Sequence, residues 1–260
     1  EKIRNQNNIT GVAEVIDPRG TVESILKLLP ATKNIFVIYD YSSTGIGSKN
    51  ELLKVLHIYK NRIYFEYVEN TTQNRIIQKI RDLPSGYVVL LLSFGNLFVG
   101  SPINLFRFSD FIKNECRLPV FAVHEPWLNR GIVGGSLLSG KYHGIYTAKV
   151  VERIINGEKI SNIPVCIKST AKLMFDYKML VKHKIPFTSI PGDAIIINEE
   201  YSIFKAYSYQ IISTIVFIFL LIVLIIILLF NIKSKKKAYQ EKEKLIDQLE
   251  KAIENEQKSR

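Results

Sequence analysis

Along most of the chain, hydrophobic and polar positions alternate in short blocks, until one block near the C-terminus breaks the pattern. From Ile211 to Phe230, twenty residues run without a charge, and only Ser213 and Thr214 are polar. A helix of that length, at about 1.5 Å per residue, matches a hydrocarbon layer of about 30 Å, so a membrane span is expected over residues 209–230. Before it, the blocks read as alternating strands and helices. Asn34 to Asp40 is a nearly continuous apolar run, as in a strand buried on both faces of a parallel sheet. Ile63, Phe65 and Tyr67 alternate along a second strand; Tyr87–Ser93 and Val120–Val123 make a third and a fourth. Helices are expected over Val22–Leu29 and from a Ser48–Glu51 capping box to about Lys60. Further helices are expected from about Thr71 to Leu83, capped by Asn70 with Gln73, and over about 104–115 and 136–156. On the last of these, Gly140, Gly144 and Ala148 form a small-residue stripe suited to a close helical neighbour. The order α-β-α-β-α-β-α-β-α argues for an open parallel sheet covered on both sides.

Charge orients the span. The net charge of +11 and a pI near 9.5 would by themselves suggest nucleic acid or an anionic membrane surface as partner. Lys233, Lys235, Lys236 and Lys237 follow the apolar run at once, whereas Lys205 is the only basic residue in the ten before it. The positive-inside rule then puts residues 231–260 in the cytoplasm and residues 1–208 outside, with Tyr201, Tyr207 and Tyr209 at the outer interface. The lysines suit anionic lipid heads. No basic run with interleaved aromatics supports nucleic-acid binding, and the remaining charge is spread over the outer region without a visible cluster. The tail has no Gly or Pro from Ala238 to Arg260; Ile246, Leu249 and Ile253 form a short a/d seam, which would suit a homodimeric coiled coil or a solvated helix end. The chain starts at Glu1 without an apolar leader and stops in mid-pattern at Arg260, so a piece of a longer protein is expected.

Ligands of open parallel sheets bind beyond the carboxyl ends of the strands. Three loops qualify: Asp40–Gly45, Ser93–Asn96 and His124–Trp127. Hydroxyls and carboxylates beside aromatic rings suit a small zwitterion, its ammonium on a carboxylate and its apolar part under a ring. Asp40, Tyr41, Ser42, Ser93, Phe94, Glu125 and Trp127 are the candidate ligand-binding residues. Equally, Asp40 and Ser93 could be loop caps, and Trp127 the edge of a core.

Other chemistries lack their residues. His57, His124, His143 and His183 show no metal-ligand spacing among themselves or with Cys116 and Cys166, so no metal is expected. The two cysteines, fifty positions apart, could form a disulfide outside the membrane, but two buried thiols are the expectation. There is no G-x-x-x-x-G-K-[ST] loop and no G-x-S-x-G elbow. Gly131–Gly135 lacks phosphate-binding spacing and reads as a tight crossover. No catalytic residue and no cofactor are expected. Asn8-Ile-Thr10 and Asn70-Thr-Thr72 match glycosylation sequons, meaningful only in a eukaryotic secretory pathway.

A family resemblance accompanies this layout. Gly131-Ile-Val-Gly-Gly-Ser-Leu-Leu-Ser-Gly140, Gly144, Ile154-Ile-Asn-Gly-Glu158 and Ile163-Pro-Val165 resemble ABC-type substrate-binding proteins linked to tryptophan and tyrosine uptake. Met174-Phe-Asp-Tyr-Lys178 and Ile190-Pro-Gly-Asp-Ala-Ile-Ile-Ile-Asn198 resemble the branch that forms extracytoplasmic sensors of bacterial receptors, commonly histidine kinases and sometimes diguanylate cyclases. The resemblance covers about residues 9–250. It implies a periplasmic-binding-protein-like α/β fold of two Rossmann-like lobes with the ligand between them. By that likeness residues 12–123 form one complete lobe and residues 131–198 the crossover and a remnant of the other, most of which is missing. It places Glu125 where the family has an aspartate.

Two functions follow from this reading. In one, the chain is the sensor of a receptor in the bacterial inner membrane, a histidine kinase of a two-component system, with its catalytic module beyond Arg260. In the other, it is a membrane-tethered substrate-binding component of an ABC importer. The helix-favouring tail discriminates, since a tethered binding protein needs no cytoplasmic extension.

Overall fold

The computed structural model describes residues 8–95, 103–199 and 207–258, and of residues 250, 252–254 and 256–258 the backbone alone. It divides into two compact units, residues 1–200 and residues 201–260.

In the first unit, α1 (Pro18–Leu28), β1 (Asn34–Ile38), α2 (Ser43–Val55), β2 (Tyr64–Tyr67), α3 (Gln73–Asp82), β3 (Tyr87–Leu91), α4 (Leu105–Asp110) and β4 (Val120–Ala122) alternate as the periodicity predicts. Then come β5 (Gly134–Leu137), α5 (Gly140–Ile155), β6 (Lys172–Asp176), α6 (Tyr177–Lys182) and β7 (Ile195–Ile197). All seven strands form one sheet in the order β2-β1-β3-β4-β5-β6-β7. The strands β1 to β5 are mutually parallel; β6 runs antiparallel to β5, and β7 parallel to β6. Ile35, Val37, Ile38 and Val89–Leu92 are fully enclosed, the condition of a parallel strand covered on both faces.

Helix boundaries differ from the sequence expectation where local hydrogen bonds outcompete the expected caps. Ser42 accepts from the Gly45 amide at 3.1 Å and starts α2 six residues before the expected Ser48 box; Ser48 instead lies within the helix and donates to the Gly45 carbonyl. Thr72, rather than Asn70, caps α3, because Gln73 is occupied in a reciprocal pair with the Asn104 backbone, at 3.1 and 2.8 Å. Asp17 caps α1 with Pro18 at the first helical position, four residues earlier than expected. The helix expected over 104–115 is α4 followed by a π-turn over Phe111–Glu115.

The largest difference lies at 136–139, expected as the start of a helix: Ser136 and Leu137 belong to the strand β5, and the helix begins only at Gly140. Gly134 and Gly135 have φ of 149° and 150°, conformations that a side chain disfavours. A Cβ at Gly134 would lie 2.2 Å from the Met174 carbonyl oxygen, and one at Gly135 2.3 Å from that of Ala122. Only bare backbone lets β5 insert between β4 and β6. A buried polar network then fastens α1 over it. The Thr21 hydroxyl accepts from the Ser136 amide at 3.0 Å, and the Ser136 hydroxyl donates to Asp17 at 2.7 Å.

Residues 11–13 and 166 run side by side, with Ala13 N–H donating to the Cys166 carbonyl and Cys166 N–H to that of Gly11, both at 2.8 Å. Cys116 is buried, as expected; Cys166, in this open pair of segments, is only half-buried, and both thiols are free. Along α5 no residue is buried, and Ile145, Tyr146, Val151 and Ile155 are exposed. Nothing among the described residues comes within 4 Å of a Cβ at Gly140 or Gly144, so the close neighbour expected for that stripe is not found among them.

The second unit is one helix, α7 (Ser208–Lys258), of 51 residues. It is long and apolar enough to cross a membrane. Tyr201 and Lys205 lie outside the described residues; Tyr207 and Tyr209 precede the apolar run and are exposed.

The glycines give a paired test of this packing. We expect Gly135→Ala to lower stability by about 3 kcal/mol, since it adds both strain and a backbone clash. Gly144→Ala, in open space within a helix, should raise stability by about 1 kcal/mol. Thermal unfolding of the detergent-solubilised chain measures both; equal shifts would refute the close-packing account.

Candidate functional site

The carboxyl ends of β1, β3 and β4 carry a cleft of about 390 Å³, within the range of small-molecule sites. Asp40, Ser93, Phe94 and Trp127 of the expected residues line it, with Thr44, His124, Pro126 and Arg130. A neighbouring cavity of about 510 Å³ shares Thr44, Ser93 and His124 and extends the groove to Glu14–Ile16 and Ile167, beside the paired segments at residues 13 and 166.

Asp40 builds the cleft. It is buried, and Oδ1 accepts from the Ser42 amide at 3.1 Å and from the Ser42 hydroxyl, while Oδ2 accepts from the Gly95 amide at 3.0 Å. The Asp40 amide donates to the Ser93 carbonyl at 3.0 Å. This one side chain therefore ties the β1 loop to the start of α2 and to the loop after β3. A ligand ammonium was expected on a carboxylate of this kind. The Asp40 oxygens are largely occupied by these donors, so what the side chain brings to the cleft is its position and the loops it holds.

Ser42 serves as the α2 cap, and the pocket lining does not include it. Tyr41 turns the other way: its hydroxyl donates to the Val68 carbonyl at 3.0 Å and its ring stacks on Tyr39, at 5.2 Å between centroids. Burial, then the neighbouring Tyr39 hydroxyl, pushes the Tyr41 phenol up to about 12. Glu125 opens the short turn Glu125–Trp127 and spends its amide on the Leu138 carbonyl; the described cleft does not include its side chain. Asn96, at the end of the second expected loop, lies outside the described residues.

The apolar wall is an aromatic cluster. Phe94 lies 4.8 Å from Phe108 and 6.2 Å from Trp127, and Phe108 meets Trp127 edge-on at 6.0 Å. Offset and edge-on rings are the favoured geometries. The polar side holds Ser93, whose hydroxyl is 3.0 Å from His124 Nε2. Burial lowers the His124 pKa below its ordinary 6.5, so the imidazole is neutral at neutral pH.

Arg130 is the residue sequence reasoning missed. It sits between the expected loop, which ends at Trp127, and the crossover expected from Gly131, and the fold returns it to the cleft. Among the described residues its guanidinium has no hydrogen-bonded or ion-paired partner, which leaves a forked cation facing an aromatic wall. Among the described residues, no group of three His, Cys, Asp or Glu could hold a metal ion.

An α/β sheet of this topology, with a groove at the strand ends beside two paired connecting segments, defines a periplasmic-binding-protein-like fold that binds small molecules. The chain belongs to the ABC transporter substrate-binding protein family, whose model matches residues 1–189. No curated protein sequence matches it significantly. Among solved structures it is similar to a ligand-free, open substrate-binding protein with adhesive properties from Clostridium difficile. That likeness has 17% identity and a TM-score of 0.58, over 76% of this chain and 67% of that one. It is similar, at 19% identity and a TM-score of 0.55, to an ABC domain in complex with L-Trp from Streptococcus pneumonia, over 76% and 68%. A conserved domain protein from Vibrio cholerae shares 22% identity with a TM-score of 0.50, over 73% and 62%. At these identities the likeness establishes the fold.

The two half-buried imidazoles predict acid sensitivity. Burial, and for His183 also the Lys182 charge, lowers both pKa values below 6.5, that of His183 to about 4. Below pH 6.5 the unfolded chain takes up protons that the folded chain refuses. Stability from these groups is thus full above pH 6.5 and is lost as the pH falls toward the folded values. We expect the melting temperature to fall between pH 6.5 and about 4 and to fall less in His183→Gln; identical profiles would contradict the assignment.

Proposed function

We propose that this chain is the extracytoplasmic ligand-binding part of a membrane receptor that transmits occupancy of the Asp40–Trp127 cleft through α7. The observation that carries the reading is α7 itself. The apolar run needs about twenty residues to cross a bilayer, yet the helix continues unbroken to Lys258 through a charged segment that anchoring does not require. On this reading residues 1–208 are outside the cell membrane and 231–260 inside, where the Ile246–Leu249 seam pairs with a second copy and leads to a histidine kinase or similar output module. A ligand drives such a device only by binding one state better than the other.

The cleft chemistry favours a small molecule with an aromatic or apolar body and a carboxylate, such as an aromatic amino acid. Phe94 and Trp127 would cover the body, Arg130 would take the carboxylate as a bidentate pair, and Ser93 with neutral His124 would fix the orientation. The neighbour that holds L-Trp supports this ligand class. The bare face of α5 supports a second lobe packed there, made by residues outside this chain; the chain spans about two thirds of the length of the first solved structure it matches. A tethered component of an importer is the second reading, favoured by the description of the family itself.

Calorimetry on the full-length protein tests the ligand assignment. L-Trp should bind, and Arg130→Gln, a change at an exposed side chain, should weaken it by about 2 kcal/mol, roughly thirtyfold, the cost of losing a charge-assisted pair. Unchanged affinity in the variant would reject Arg130 as the carboxylate partner. The reading frame decides the role: a signalling module is expected after Arg260, and a stop codon there would leave the importer reading.

A further inference from the structure

The polar end of α7 carries a longer pattern than the seam at Ile246 and Leu249. Counted in sevens with Ile246 at position a, the register runs back to Tyr239 and Ile232 and forward to Ile253, and Leu249 takes the d position after Ile246. Between residues 231 and 249 the large apolar side chains are Ile232, Tyr239, Leu245, Ile246 and Leu249. Only Leu245, at the adjoining g position, falls outside a and d. All of them are exposed in the single chain. The opposite face is polar: Lys237, Lys244 and Lys251 share position f, and Lys251 is paired there with Asp247 at 2.7 Å.

A seven-residue repeat falls slightly short of two helical turns, so the stripe winds about α7 and is covered best by a helix supercoiled with it. Lipid can cover residues 211–230, but the stripe continues past Lys233–Lys237 into water, where exposed apolar side chains favour burial. Isoleucine at a with leucine at d suits two parallel strands. Topology supplies the partner: copies of one chain enter a membrane in the same sense, so their tails lie parallel at equal depth and equal residues face each other. Pairing over so few heptads is weak by itself, and a shared bilayer raises the effective concentration of one tail around another.

Charge sets where such a pair closes. Position d is Lys235 in one heptad and Lys242 in the next. In a parallel, in-register pair a side chain at d enters a hole formed by the facing residues at a, d, e and the next a. Lys242 therefore meets the partner's Glu243, an opposite charge, whereas Lys235 meets the partner's Lys236. Neither Lys242 nor Glu243 has an ion-pair partner in its own chain among the described residues. We propose that a second copy of this chain docks along Tyr239–Leu249 of α7 as a parallel, in-register helix. Lys242 of each copy locks onto the partner's Glu243, and the lysines at 233–237 hold the two helices apart beside the membrane. This rests on the receptor reading of α7 as a membrane span and deepens it, by naming the register and the charge pair of the seam.

The test is oxidative crosslinking of the full chain in the membranes of an expressing bacterium. Resistance to carbonate extraction checks the span; a chain that carbonate releases would overturn that reading, and the docking proposal with it. One cysteine is added at Leu249, at Ile246 or, on the polar face, at Lys244, and the parent chain with its two free thiols sets the background. A disulfide between equal positions requires the parallel register. Leu249→Cys and Ile246→Cys should crosslink at least about fivefold more than Lys244→Cys. Lys242→Glu should lower the yield at Leu249→Cys by about fivefold, and Lys242→Glu with Glu243→Lys should restore it. Equal crosslinking at the three positions, or none above the parent, would overturn the docking. An unchanged yield in Lys242→Glu, or no rescue by the charge swap, would overturn the lock between Lys242 and the partner's Glu243. The crosslinks need no ligand, so failure of L-Trp to bind with the crosslinks intact would reject the ligand assignment and support the pair.

Discussion

The close approach of β5 to its neighbours is the constraint on which the layout of the first unit turns. Gly134 and Gly135 bring backbone within the distance that a Cβ would occupy, so β5 can bond to β4 on one side and β6 on the other. Without that seam the sheet would end at β4. With it, β6 and β7 extend the sheet in the reverse direction, α5 departs from the cleft pole, and the chain leaves at the opposite pole. The Asp17–Thr21–Ser136 network seals the seam by satisfying groups that burial would otherwise leave costly.

At the other end of the sheet a single carboxylate organises the cleft. Asp40 gathers the α2 cap, the Ser93 carbonyl and the Gly95 amide, and a Cβ at Gly45 would collide with its backbone oxygen. The polar and aromatic sides of the groove are thereby held apart. Preorganisation of this kind lowers the ordering cost of binding, because the loops are already tied when the ligand arrives. Ser93 and neutral His124 then face Phe94, Phe108 and Trp127 across a gap that Arg130 closes with charge.

The elements legible in the sequence were those whose periodicity is enforced by burial on both faces. The strands β1, β3 and β4 are apolar at every enclosed position, and chain order alone yields their parallel arrangement. What escaped sequence reasoning was governed by contacts with distant residues. Ser136 and Leu137 lie in a run compatible with a helix, and only the partner strands decide otherwise. Ser42 outcompetes Ser48 as a cap because Asp40 fixes its position. Asp40, Ser93, Phe94 and Trp127 were legible as cleft residues because strand ends bind ligands in such sheets; Arg130 was not, because nothing in its neighbours marks the path that returns it.

The sequence by itself determined the class of the fold, the twenty-residue apolar run and the cationic flank behind it, because these depend on local composition and length. Only the tertiary structure decided how Asp40 is spent and which cation enters the cleft. Asp40, Gly95 and Arg130 lie far apart along the chain, and their meeting is a property of position in space: it exists only after the alternation of strand and helix has brought the strand ends together.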